Sequence, residues 1–213
     1  MNKSEVLSRI HASGAVAVVR VTDVKRLRKT IAAIAAGGVD CIEITMTVPN
    51  AIATIKEFAA ESDALVGAGT VTDADTARAV IEAGAQFIVG PVLNLEVIAA
   101  GKNAGVAVMP GCFSPTEILA AWNAGADVVK VFPATSLGPK FIKDVHGPLP
   151  HVRLMPTGGV SIENAGEWIR AGAFAVGIGT DLLDKTMIEA EDYSGLTHRA
   201  RVFVENIRSA RAT

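Results

Sequence analysis

Two charged residues sit alone in the middle of otherwise apolar, strand-like segments. Lys130 lies within Asp127-Val-Val-Lys-Val-Phe-Pro133, and Glu43 lies within Asp40-Cys-Ile-Glu-Ile-Thr-Met46. An ammonium is costly to bury, so an apolar setting favours the free amine. A free amine in a pocket is a nucleophile toward carbonyls and can form a Schiff base. An amine that attacks and a carboxylate that moves protons suit carbon–carbon bond chemistry next to a ketone. The same two residues also fit a buried Lys–Glu pair, or a lysine snorkelling at a strand end. A neighbouring Glu raises a lysine pKa while burial lowers it, so the net sign is open at this level.

These residues need a scaffold, and the chain spells one out. It has 213 residues, half of them hydrophobic and a fifth charged, which suits one α/β domain or a small barrel. A helix, then Ala-Gly or a similar pair, then an apolar strand recurs around Gly37, Gly84, Gly105, Gly125 and Gly172. The two long gaps between these glycines are about twice the short ones, so each hides one further unit. Ala64-Leu-Val-Gly-Ala68 and Val152-Arg-Leu-Met155 supply the hidden strands. Eight strands are predicted, near 15–20, 40–45, 64–68, 86–90, 106–109, 127–131, 152–155 and 173–177. Helix-period segments opening at Thr22-Asp23 and Thr72-Asp73 carry Thr or Asp caps, and glycine follows each helix. Alternating strands and helices with short loops predict a parallel sheet, and eight units predict a (β/α)8 TIM barrel over residues 1–213 as one domain. Ser4 to His11 forms an extra N-terminal helix placed to close the barrel floor, and Thr197 to Ala210 a helix on the outside.

Such barrels carry their sites at the C-terminal ends of the strands. The candidates there are Glu43, Thr45 and Thr47; Gly67 to Thr70; Gly90-Pro91; Met109 to Phe113; Lys130, Phe132 and Pro133; Pro156 to Gly159; and Gly177 to Thr180. Side chains alternate along a strand, so Lys130 shares a face with Val128 and Phe132, and Glu43 with Cys41 and Thr45. If both charges face inward at similar height, they meet near the axis. Two glycine-rich turns, Thr157-Gly-Gly159 and Gly177-Ile-Gly179-Thr180, follow the last two strands, where barrels often hold phosphate. Helices opening at Ser161 and after Asp181 would add positive potential, and the Asp181 carboxylate would partly offset it. The same glycines also fit tight barrel turns alone. His11, His146, His151 and His198 lack ligand spacing, so no metal is expected. His146 and His151 flank a turn on the far side of the barrel and read as solvated loop residues. No GxGxxG follows the first strand, which argues against a dinucleotide cofactor. Cys112 has no histidine partner in view and reads as packing.

In order along nearly the whole chain, Glu43-Ile-Thr-Met-Thr47, Gly67-Ala-Gly-Thr70, Met109-Pro-Gly111, Val129-Lys-Val-Phe-Pro133 and Pro156-Thr-Gly-Gly-Val160 resemble the 2-keto-3-deoxy-6-phosphogluconate (KDPG) aldolase family. That family also includes 4-hydroxy-2-oxoglutarate (KHG) aldolases and 6-phosphogalactonate relatives. The resemblance implies a metal-free, cofactor-free trimer of (β/α)8 barrels with Schiff-base aldolase activity. It implies Lys130 as the Schiff-base lysine and Glu43 as the general acid/base. Thr70 and Thr157 would contact the pyruvoyl part, and Phe132 and Pro91 would wall the pocket. Gly158, Gly159, Gly179 and Thr180 would cradle phosphate. Thr47 stands where several members carry an arginine for substrate anions, which shifts more of that work to Arg20 at the end of the first strand.

Two other readings compete: a phosphosugar isomerase or epimerase on the same barrel, and a catalytically silent trimeric scaffold. A net charge near −2 offers nothing to attract nucleic acid, and no apolar run reaches transmembrane length. Cys41 and Cys112 read as buried free thiols, which with the charged N-terminal stretch suits a cytoplasmic protein.

Overall fold

The structure is a computed structural model and describes residues 1–21 and 23–212. In chain order the helices are α1 (Lys3–Ser13), α2 (Val24–Ala36), α3 (Ala51–Glu61), α4 (Ala74–Glu82), α5 (Leu95–Ala104), α6 (Pro115–Ala124), α7 (Gly138–His146), α8 (Ala165–Arg170), α9 (Lys185–Glu189) and α10 (Tyr193–Arg211). The strands are β1 (Ala15–Val19), β2 (Cys41–Thr45), β3 (Leu65–Gly69), β4 (Phe87–Val89), β5 (Ala107–Met109), β6 (Gly111–Cys112), β7 (Val129–Val131), β8 (Leu154–Pro156) and β9 (Val176–Ile178).

All strand pairs are parallel, in two runs ordered β5-β4-β3-β2-β1-β9 and β6-β7-β8. The fifth predicted strand is therefore split. Pro110 lies at the break, where its missing N–H interrupts the ladder. Its carbonyl still accepts from Lys130 N at 2.9 Å, and Val108 O accepts from Asp127 N at 3.0 Å. On the other side, Thr157 bridges Gly177 in parallel. This is an α/β fold with a curled parallel sheet and helices outside it.

Side-chain alternation sorts the core into two parts. Ala15, Ala17 and Val19 of β1, Ile42 and Ile44 of β2, and Val129 and Val131 of β7 pack outward against the helices. Val16, Cys41, Val128, Met155 and Ala175 belong to a second, inner cluster, into which α1 inserts Val6 and Ile10. Burying two aliphatic side chains of this size contributes about 1.5–3 kcal/mol each, which seats α1 on the floor. Its start is held by a capping box between Asn2 and Glu5. Outward Ile42 and Ile44 leave Glu43 facing inward, and outward Val129 and Val131 do the same for Lys130.

Some local expectations need correction. The eighth strand was expected at 173–177 but pairs at Val176–Ile178, because Phe174 turns to the floor and stacks with His11 at a centroid distance of 4.8 Å. The helix expected to open at Ser161 begins at Ala165. Ser161 and Asn164 bond each other instead, which holds the segment in turns. His146 is not a solvated loop residue. It ends α7, is half-buried, and its Nε2 lies 2.9 Å from Val152 O. Of the two residues expected to cap α2, Thr22 lies outside the described residues. Asp23 accepts from Lys25 N and Arg26 N.

Candidate active site

Among the described residues, Glu43 and Lys130 are the two charged side chains in the buried interior, at 1% and 4% exposure. Their strands are separated by β8, β9 and β1, so they face each other across the interior. Burial pushes the Glu43 carboxyl above its ordinary range, and the positive charges of Lys130 and Arg20 pull it back only in part. Both carboxyl oxygens are buried without a hydrogen-bond partner, and so is Thr157 Oγ1. Buried polar atoms are normally paired, so three orphans in one interior mark a place built to receive a polar ligand.

Glycines make room for these groups. A Cβ on Gly69 would fall 2.0 Å from Glu43 Oε1, and one on Gly177 would fall 2.3 Å from Thr157 Oγ1. Only a bare Cα leaves each polar side chain its seat. Lys130 Nζ lies 4.9 Å from the Phe132 ring centroid, and the Phe132 ring in turn approaches Gly158. Pro91 packs its backbone against Gly111, the partner of Lys130 across the β6–β7 pairing. Thr70 adopts φ 61°, an unfavourable region for a β-branched residue that costs on the order of 1–3 kcal/mol. Thr47 is exposed, and its hydroxyl lies 2.6 Å from that of Thr45.

Gly158 and Gly159 have φ 87° and 74°, a conformation that favours glycine and turns this loop toward Thr135. Sequence reasoning missed Thr135, since nothing local marks a threonine in the turn after Pro133. Arg20, Gly179 and Thr180 line a cavity of about 260 Å³ together with Val18, Arg26 and Lys185. Val18, one of its lining residues, sits beside Glu43 in the β1–β2 pairing, while neither Glu43 nor Lys130 lines the cavity itself. Among the described residues, no group of three or more His, Cys, Asp or Glu side chains is arranged to hold a metal ion. Cys112 is buried, its thiol pushed up to about 12 by burial and by the charge of Glu117, so it is held as an unreactive thiol.

An interior amine, an interior carboxyl with a raised pKa and a neighbouring cavity can support carbonyl addition with proton transfer. Comparison with known proteins agrees. The family described as "Aldolase: KDPG and KHG aldolase" matches residues 6–199. The chain belongs to this family. It is therefore grouped with the carbon–carbon lyases that cleave by aldol chemistry. A 2-dehydro-3-deoxy-phosphogluconate aldolase of Pseudoalteromonas atlantica is 35% identical over 188 residues, 87% of either chain. A 2-dehydro-3-deoxy-6-phosphogalactonate aldolase of Escherichia coli is 37% identical over 71% of this chain and 76% of its own. The structure of a KDPG aldolase from Legionella pneumophila, with pyruvate captured as a covalent carbinolamine, matches with a TM-score of 0.86 and 27% identity over 93% of this chain and 97% of that one. With other aldolases of the family this chain thus shares both fold and sequence, and the Glu43–Lys130 interior lies inside the matched span.

Proposed function

We propose that the chain is a class I aldolase that cleaves 2-keto-3-deoxy-6-phosphogluconate or a close epimer to pyruvate and glyceraldehyde 3-phosphate. Cleavage of 4-hydroxy-2-oxoglutarate to pyruvate and glyoxylate uses the same residues. The observation that carries this reading is that Lys130 and Glu43 are both buried in the interior, with neither Glu43 oxygen hydrogen-bonded. Lys130 Nζ adds to the C2 ketone and loses water to form an iminium. The iminium accepts the electron pair of the C3–C4 bond as Glu43 takes the C4 hydroxyl proton, which releases the aldehyde and leaves an enamine. Glu43 returns a proton to C3, and water then frees pyruvate and the amine.

The positions of the remaining residues fit supporting roles. Thr157 and Thr70 bind the pyruvoyl carboxylate, and Phe132 and Pro91 wall the pocket. The turns at Gly158-Gly159 and Gly179-Thr180 hold the phosphate through backbone amides, with Arg20 supplying charge. Thr47 has no charge to offer the substrate. The helix-dipole contribution expected after Gly159 is dropped, since the helix starts six residues later, at Ala165.

We also infer a single domain over residues 1–213 whose two strand runs close as one (β/α)8 barrel on α1. The seams at Pro110 and at Thr157–Gly177 support closure. A homotrimer follows from the family resemblance, and exposed apolar side chains such as Val92, Leu95, Phe113 and Leu119 are available to an interface. Two buried, unbridged cysteines fit a cytoplasmic setting, and among the described residues no helix is long and apolar enough to cross a membrane.

Pyruvate release from the phosphorylated gluconate and galactonate substrates and from 4-hydroxy-2-oxoglutarate tests the reading, with Lys130→Met as the blank. Release from at least one of them, lost in the variant, is expected. Release that survives Lys130→Met, or none from any of the three, would overturn it.

A further inference from the structure

Asp181 follows the second glycine turn directly, where a carboxylate ought to repel a bound phosphate. Its contacts explain what it does there. Asp181 Oδ2 accepts from Ile162 N at 2.7 Å, in the loop after the first glycine turn. Arg199, on α10, donates from Nη2 to the Asp181 carbonyl and places the same nitrogen 3.7 Å from Asp181 Oδ1. Seven residues along the same helix face, Asn206 Nδ2 donates to Ile162 O at 3.0 Å. Ile162 is thus held by its N–H through Asp181 and by its C=O through Asn206. The first turn is tied in as well: Asn164 Nδ2 donates to Gly159 O at 2.8 Å while its Oδ1 accepts from Ser161 N. The second turn is closed by Leu183 N donating to Gly179 O at 2.9 Å.

We propose that Asp181, backed by Arg199 of α10, is a positioning residue that sets the distance between the two glycine turns, and with it the affinity for the substrate's phosphate. This rests on the reading of those turns as a phosphate cradle. Amides from two separate loops converge on one anion only if the loops keep their spacing. The direct crosslinks between them are the Thr157–Gly177 bridge at the base and the Asp181 bond higher up. The Arg199 guanidinium neutralises the carboxylate locally, so the clamp adds little repulsion toward the bound anion.

The test compares a phosphorylated 2-keto-3-deoxy sugar acid with its unphosphorylated counterpart in wild-type protein, Asp181→Ala, Asp181→Asn and Arg199→Gln. A misplacement near 1 Å costs up to about 10²-fold, so Asp181→Ala is expected to raise KM for the phosphorylated substrate by about 10- to 100-fold. kcat should move far less, and kinetics on the unphosphorylated substrate should hardly move. Asp181→Asn keeps an acceptor for Ile162 N and should recover most of the loss. Arg199→Gln should give a smaller shift of the same kind, and carries the test should Asp181→Ala not fold. Equal losses on both substrates, or an unchanged preference for the phosphorylated one, would overturn the clamp alone. Wild-type protein with no preference for phosphate would overturn the cradle, and the clamp with it.

Discussion

Replacing Gly69 with Ala should disable the carboxylate without touching it chemically. The added methyl would lie 2.0 Å from Glu43 Oε1 and 2.5 Å from its Cγ and Cδ. Carbon atoms in contact sit about 3.5–4.0 Å apart, so the side chain must retreat by roughly 1.5 Å. Glu43 has no hydrogen bond to lose, so the stability cost is that of overpacking a core, about 1–3 kcal/mol. The catalytic cost is larger, because a displacement of about 1 Å at a reacting group is worth about 10²-fold. Gly69→Ala should thus lower kcat for cleavage by about 10²-fold or more in protein that remains folded, equivalent to about 2.7 kcal/mol of positioning. Gly67→Ala is the control: its methyl would strike the Phe87 ring at 2.4 Å and not Glu43, so it should destabilise without a matching loss of rate per folded molecule. Initial rates on the better substrate and urea unfolding of each variant supply both numbers. A double-mutant cycle sharpens the test. Glu43→Ala removes the clashing atoms, so adding Gly69→Ala to it should cost no further rate. Wild-type kcat in Gly69→Ala, or losses that simply multiply in the double variant, would refute the argument that this glycine exists to seat Glu43.

The raised Glu43 pKa carries a stability signature. Between the ordinary glutamate value of 4.5 and its raised folded value, the folded protein holds a proton that the unfolded chain has released. Wild-type stability should therefore fall with rising pH there by up to about 1.4 kcal/mol per unit relative to Glu43→Gln, and pH-dependent urea melts of the pair should show that gap. Thr157→Val should leave the free protein as stable or slightly more so, since it removes a buried hydroxyl without a partner; kcat/KM should drop by about tenfold or more, and a large loss of stability would contradict this. Lys130→Met should lower turnover by about 10⁴-fold or more and be folded, which steady-state rates and thermal melts check.

The chemistry was the most legible part of the chain because lone charges in apolar strands conflict with their surroundings. Alternation alone then predicts that Glu43 and Lys130 face the same way as Cys41 and Val128, and they do. The strands were legible from the glycine stops of the preceding helices. Pro110 hides nothing in the sequence, yet its effect on the fifth strand depends on which neighbour needs its N–H. The helix start at Ser161 was misread because local hydrogen bonds between Ser161 and Asn164 compete with the helix, a balance composition does not reveal. Asp181 looked out of place because its partners, Ile162 and Arg199, are 19 and 18 residues away along the chain. Thr135 was invisible for the same reason: it meets Gly158 and Gly159 only after two strands pair.

The central claim is that the Lys130 amine bonds covalently to a 2-keto acid. Incubation with pyruvate, reduction with borohydride and peptide mass mapping measure it directly. The account predicts one reduced pyruvate adduct per chain, on the peptide containing Lys130, and none in Lys130→Met. A folded protein that gains no adduct, or gains it on another lysine, would contradict it.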